Sequence, residues 1–163
     1  DKAVKDKDVK KVVELASQVE DKHPKSFAAS KAALVAAKAA FDAGDLANAK
    51  KHLEWAAEKG DINHRPIARV RLSAVLLDEK KYDEALKHLD SVREESFAAL
   101  VAEAKGDVFL AQGRLDDARA AYKIALDKAD TKNPVRGSVE PKLAGIGGTI
   151  EPPPAPPTPP APK

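Results

Sequence analysis

Apolar residues recur at three- and four-residue spacing through most of the chain, and no stretch alternates with period two. That pattern predicts helices and no strands. Val9, Val12, Val13, Ala16 and Val19 make one stripe, with Lys5, Lys7, Lys10, Lys11, Glu14 and Gln18 around it, so residues 3–20 read as a first amphipathic helix. Asp21-Lys22-His23-Pro24 ends it, because the residue before a proline is pushed out of the helical region. Ser26 is the expected N-cap of a helix over 27–43. Further helices are expected over 46–58, from near Pro66, over 82–94, after Ser96 and over 115–129. Pro66 suits a first helical turn, where its missing N–H costs little.

One block of this pattern comes round three times. Phe41–Leu53, Leu77–Leu89 and Leu110–Tyr122 superpose, and bring Ala49, Ala85 and Ala118 together at spacings of 36 and 33 residues. Self-similarity at such a period signals a helical repeat array. Gly44, Lys80 and Gly113 sit at the turn inside each copy, and a left-handed helix end favours glycine there. Past residue 130 the pattern fades. Asn133-Pro134 is expected to end the array, with Val139, Leu143 and Ile146 on a short capping helix started by Pro141 and closed by Gly145, Gly147 and Gly148. Residues 151–163 hold eight prolines and are expected to be a disordered, extended spacer.

Composition narrows the function. The 163 residues are 33% charged but nearly balanced, at +2, with 4% aromatic residues. There is no basic field for nucleic acid. The Lys-rich start is interleaved with aspartate and lacks aromatics, so it reads as a solvated helix face. Thirty-one alanines favour helices in close contact. The absence of cysteine excludes disulfides and thiol chemistry. No apolar run is long enough to span a membrane. With no methionine, even at the start, the chain reads as an excised soluble domain or processed product whose anchor is missing.

The triplicated block resembles the tetratricopeptide repeat. The small residue of that family's first helix corresponds to Ala37, Ser73 and Gly106, and the bulky one after it to Ala40, Leu76 and Phe109. The small residue of its second helix corresponds to Ala49, Ala85 and Ala118. The family's early tryptophan and its helix-ending proline are absent from all three copies. The resemblance implies an all-α, right-handed solenoid. Its expected parts are an N-terminal helix and linker (1–24), three repeats within 25–132 (about 30–65, 66–98 and 99–132), a capping segment (133–150) and the proline-rich tail (151–163).

A closer resemblance covers roughly 27–129. Ala68–Asp90 and Ser96–Tyr122 look like the repeat domain of the ancillary SecYEG translocon subunit family. That resemblance implies a periplasmic domain of a single-pass inner-membrane protein. Its implied partners are the translocon, a membrane-anchored periplasmic chaperone and emerging chains. The implied role is a non-catalytic scaffold linking translocon and chaperones. Another envelope assembly or secretion-complex scaffold, and a regulatory subunit of an enzyme, remain alternatives.

On repeat geometry the first helix of each copy lines the concave face. The partner-binding groove is then expected to use Leu34, Lys38 and Phe41 from copy one, Ile67, Val70 and Leu77 from copy two, and Leu100, Asp107 and Leu110 from copy three. Its centre is apolar. Lys31 and Lys38 make one end basic, and Glu103 and Asp107 make the other acidic. A carboxylate clamp is rejected, since Leu34, Val70, Leu100 and Ala104 stand where cations and Asn would be needed. No catalytic, cofactor or metal site is expected. No His-Glu-x-x-His spacing or Gly-x-Ser-x-Gly elbow occurs, and the glycines at 145–148 follow no strand. His23, His52, His64 and His88 read as solvated surface imidazoles. A small-molecule substrate has no motif to hold it.

Overall fold

The structure is a computed structural model that describes the backbone of residues 2–149 and the side chains of residues 8–149. The expected proline-rich spacer at 151–163 lies outside the described residues. Among the described residues there are eight α-helices and no strands. They are α1 (Lys2–Lys22), α2 (Phe27–Asp42), α3 (Leu46–Lys59), α4 (Arg65–Asp78), α5 (Tyr82–Asp90), α6 (Ala98–Ala111), α7 (Leu115–Lys128) and α8 (Pro134–Gly145), with a 3-10 turn at Glu95–Phe97. Each helix packs on the next, and α6 also packs on α4 and α8. This is a solenoid in which α2/α3, α4/α5 and α6/α7 are the paired helices.

Local chemistry marks the ends of the first four helices. Ser26 caps α2, its Oγ accepting from the N–H of Ala29 at 3.0 Å. Asp45 caps α3 through the N–H of Asn48 at 3.1 Å. The Asn48 side chain also donates to Asp45, and these bonds hold its carboxyl below the usual range. Pro66 lies in the first turn of α4. α1 ends at Lys22, before His23-Pro24.

The turn inside each pair repeats almost atom for atom. Gly44, Lys80 and Gly113 have φ of 78°, 59° and 73°. The next residue's N–H reaches back to Ala40, Leu76 or Phe109 at 2.8, 2.8 and 2.9 Å, closing the end of the first helix. A side chain in this left-handed conformation costs roughly 1–2 kcal/mol. A Cβ at Gly113 would meet nothing within 4 Å, so only backbone conformation sets its cost there. Lys80→Gly is therefore expected to raise the melting temperature by about 2 °C and Gly113→Ala to lower it by a similar amount. Calorimetry on the two variants checks the sign of both shifts.

The same turn occurs a fourth time. Gly147 has φ of 74° and lies 34 residues after Gly113, and the N–H of Gly148 donates to the carbonyl of Leu143 at 2.9 Å. α8 is thus the first helix of a further repeat that has no described second helix. This corrects the expectation for the capping region. Asn133-Pro134 does not end the helical array but begins α8, with the Asn133 side chain accepting from the N–H of Val135 at 3.0 Å. Pro141 lies inside the helix rather than at its start. Its missing N–H leaves the carbonyl of Gly137, four residues before it, without the usual helical donor.

The core forms two adjoining clusters. The larger runs through α2–α6 and holds Leu53, Leu72, Leu76, Leu89 and Val108, with Val13 of α1 and Trp55 packed against it. The smaller joins α6, α7 and α8 through Tyr122, Leu126, Val139 and Leu143. Leu100 packs against both. Ala49, Ala85 and Ala118, the repeat alanines, are fully buried. Gly106 has a specific reason to be glycine, since a Cβ there would overlap the Tyr122 ring.

α5 stops at Asp90, a turn short of the expected 94. Ser91 turns back on the helix end, its Oγ donating to the carbonyl of His88 at 2.6 Å, and its own carbonyl accepts from Arg69 at 2.9 Å. These bonds satisfy the helix end without another turn. The extended stretch that follows leaves a cleft of about 300 Å³ lined by Val92, Arg93, Glu94, Val101, Lys105 and Ile124, among others.

Candidate functional site

The first helices of the pairs, α2, α4 and α6, carry all nine residues expected to line the groove, and these differ in what they offer. Phe41 is 41% exposed. Leu77 and Leu110 hold the equivalent place, three residues before the left-handed turn residue, and are half-buried against the larger and smaller clusters. Ile67 and Leu100 are half-buried as well. Lys38 is exposed and pairs with Asp42 at 2.7 Å. Lys31 at the same end is exposed too.

Three of the nine are turned inward. Leu34 and Val70 are each 8% exposed and belong to the larger cluster. The reason lies in α2, where Ala29, Ala33, Ala36, Ala37 and Ala40 are at most 2% exposed. Such small side chains let neighbouring helices approach closely and enclose the leucine between them. Asp107 is half-buried and already engaged within the protein. Its Oδ1 accepts from the Tyr122 hydroxyl at 2.7 Å, and both its oxygens bind the Lys142 ammonium at 2.8 and 2.9 Å. Lys142 also reaches Glu103 at 3.0 Å, and the Ser138 hydroxyl donates to Glu103 at 2.6 Å. The acidic end of the expected groove is therefore engaged by α8, with one ammonium shared between two carboxylates.

The electrostatics of that contact follow from its burial. Burial alone would lower the Lys142 pKa, but the Asp107 and Glu103 carboxylates reverse this and push it above the ordinary lysine value. Burial, reinforced by the hydrogen bond to Asp107, pushes the Tyr122 hydroxyl well up. Both groups keep their protons at neutral pH, so the network is a fixed fastening.

Of the places expected to line the groove, Phe41, Leu77 and Leu110 keep at least part of their apolar surface open, and α8 continues the same register. At the equivalent places along the concave side, α8 carries Pro134, Gly137, Pro141 and Ala144, all exposed and all uncharged. This set of places carries partly open apolar side chains, with exposed lysines on α2 and small, uncharged residues on α8. Nothing in it provides a nucleophile or a positioned base. Among the described residues no group of His, Asp and Glu side chains is placed to hold a metal ion, and no helix is long and apolar enough to cross a membrane.

The histidines correct one expectation. His52, read as a surface imidazole, is fully buried. Its Nδ1 is hydrogen-bonded to Oε1 of Glu20 at 2.6 Å, and Glu20 is itself only 4% exposed. His64 is also largely enclosed. Its Nδ1 lies 2.5 Å from Asp61, and its ring meets Phe27 edge-on at 4.7 Å. His88, the counterpart of His52 in copy two, is half-buried, and burial, aided by Arg69, lowers its pKa. The two differ because α1 covers the first repeat alone. A buried acid late in α1 facing a histidine of α3 has no periodic signature, so spacing could not reveal it.

Comparison with known proteins agrees with the repeat geometry. The family described as a tetratricopeptide repeat-like domain matches residues 1–148. The chain is 38% identical over 131 residues to the ancillary SecYEG translocon subunit of Neisseria gonorrhoeae, covering 80% of this chain and 63% of that protein. It is 32% identical over 96 residues to the ancillary SecYEG translocon subunit of Escherichia coli, covering 58% of this chain and 47% of that protein. The chain therefore spans from about half to just under two thirds of the length of these relatives. Both names describe an accessory subunit and no reaction. With its pairs of helices, its recurring left-handed turn and a family match that covers nearly all the described residues, the chain belongs to the tetratricopeptide repeat-like family.

Proposed function

We propose that this chain is a non-catalytic protein-binding scaffold at the bacterial SecYEG translocon. The carrying observation is its likeness to two ancillary translocon subunits across the repeat region, joined to a concave face that offers apolar side chains and no reactive group. A partner helix or extended segment docks along Phe41, Leu77 and Leu110, which stacked repeats bring alongside one another. Lys31 and Lys38 favour an acidic residue at the α2 end of that segment. Ile67 and Leu100 flank the strip. Leu34, Val70 and Asp107 support it from beneath and at its end.

In its finer form the scaffold sits in the periplasm, held to the inner membrane by an anchor outside this chain, and links the translocon to a membrane-anchored chaperone and to emerging chains. In-cell photo-crosslinking tests both levels. A photoreactive residue at Phe41 of the full-length protein is expected to capture translocon subunits and a periplasmic chaperone. The same residue at Ala120, exposed on α7, is expected to capture neither. Adducts from position 120 and none from 41 would move the site to the opposite face. Translocon adducts without a chaperone would remove the linking role and leave the scaffold.

A further inference from the structure

We infer that the outer flank of α1 pairs with the same flank of a second copy of this chain, antiparallel and about a two-fold axis at Leu15. α1 stands in the array where the second helix of a preceding repeat would stand. Ala16 is 3% exposed and lies 33 residues before Ala49, the spacing that also separates Ala85 from Ala118. Glu20 then takes the place of Leu53, Leu89 and Tyr122, all of them buried, and is buried too. In that register Val19 corresponds to His52, whose ring reaches back to the array's preceding second helix, at Glu20 of α1. Among the described residues no helix stands before α1 to meet Val19 in the same way.

The flank is apolar where the register does not require it. Leu15 is 49% exposed, and Val12 and Val19 are half-buried and belong to neither core cluster. At the places of Val12 and Leu15 the other second helices carry Asp45 and Asn48, Lys81 and Glu84, and Arg114 and Asp117. The end helix of a solenoid ordinarily turns a polar face outward. Alternating four- and three-residue steps put Asp8, Val12, Leu15, Val19 and Lys22 on one line along α1.

The ends of that line select the occupant and its direction. Asp8 and Lys22 are exposed, carry opposite charges and lie equally far, seven residues, on either side of Leu15. Neither takes part in an ion pair among the described residues. Two copies crossing antiparallel set Leu15 on Leu15 and each Asp8 against the Lys22 of the other copy. Lys11, the exposed charge beside the line, then faces Gln18 and Val19 rather than a like charge. A parallel pair would set Asp8 on Asp8, Lys11 on Lys11 and Lys22 on Lys22. The flank is thus complementary to itself in one direction, as a two-fold contact between identical surfaces requires. The contact is one helix wide, so the dimer is expected to be weak and concentration-dependent. The inference extends beyond the proposed scaffold role, and its failure would leave translocon docking on the concave face untouched.

Analytical ultracentrifugation of this chain over a concentration series tests it. A monomer is expected to pass into a dimer as concentration rises. Leu15→Asp, at an exposed place, should weaken the association at least about tenfold. Asp8→Lys and Lys22→Asp should each weaken it, and the two together should restore it, a rescue that only the antiparallel contact gives. Ile124→Ser, an exposed apolar residue of α7, should change nothing. Circular dichroism confirms the fold of each variant. The chain has no cysteine, so Leu15→Cys supplies a second reading in the full-length protein, freed of any cysteine outside this chain. Mild oxidation is expected to yield a disulfide-linked dimer from Leu15→Cys and none from Leu115→Cys, which is exposed on α7. A chain that stays monomeric at every concentration, or a dimer that Leu15→Asp leaves intact, would overturn the inference. A full-length protein with no cross-link at position 15 would overturn it too, and assign the flank to the segment that precedes α1.

Discussion

His52→Leu is expected to lower the stability of this protein by about 3–5 kcal/mol, the cost of leaving one member of a buried pair alone. The Glu20 carboxyl is 4% exposed and the His52 ring is fully enclosed. Their 2.6 Å contact is the polar link between α1 and α3. Without the imidazole the carboxyl of Glu20, only 4% exposed, loses its one hydrogen-bond partner among the described residues. Glu20→Ala leaves the imidazole in the same position, with Nε2 of His52 already lacking a partner among the described residues. For a chain of this size the single variants should melt roughly 10 °C lower. If the loss is local, α1 amides should exchange faster while α4–α8 stay protected. Glu20→Met with His52→Leu, which replaces the pair by apolar groups, should recover most of the loss. Single variants that melt like the wild type would show that α1 is held by its valine stripe alone.

Most of the architecture was legible because the repeat imposes one set of physical demands three times. Ala49, Ala85 and Ala118 had to be small where helices meet, and they are fully buried. Gly44 and Gly113 announced left-handed turns, and the register placed Lys80 in the same conformation despite its side chain. The fourth turn was present too, in Gly147 and in Leu143 four residues before it. It was overlooked because Pro134 and Pro141 suggested a break. Proline at a first turn is compatible with a helix, and α8 also holds Pro141 in its interior.

The groove was less legible than the fold. Periodicity says which residues share a helix face, but not how far a neighbouring helix covers that face. Leu34 and Val70 share the stripe of Phe41 and Leu77 yet lie in the core, because alanine-rich α2 packs so tightly. Asp107 and Glu103 looked like an open acidic end. Lys142, 35 and 39 residues away, pairs with both. Pairings at that separation leave no local trace.

The strip itself is where a binding change should be largest. Phe41 is already exposed, and Leu110 is half-buried at the equivalent place in the third pair. Burying such a side chain against a partner contributes roughly 1.5–3 kcal/mol, and each 1.4 kcal/mol is a factor of ten in affinity. Phe41→Asp with Leu110→Asp removes two such contacts and sets two charges on the apolar strip. Affinity for the partner should therefore fall at least about a hundredfold, with Phe41→Asp alone giving an intermediate loss. The decisive measurement is co-purification of the translocon with this double variant of the full-length protein, its helicity checked by circular dichroism. The account predicts a folded protein that no longer retains the translocon. A folded double variant that retains it at wild-type levels would contradict the concave strip as the binding site.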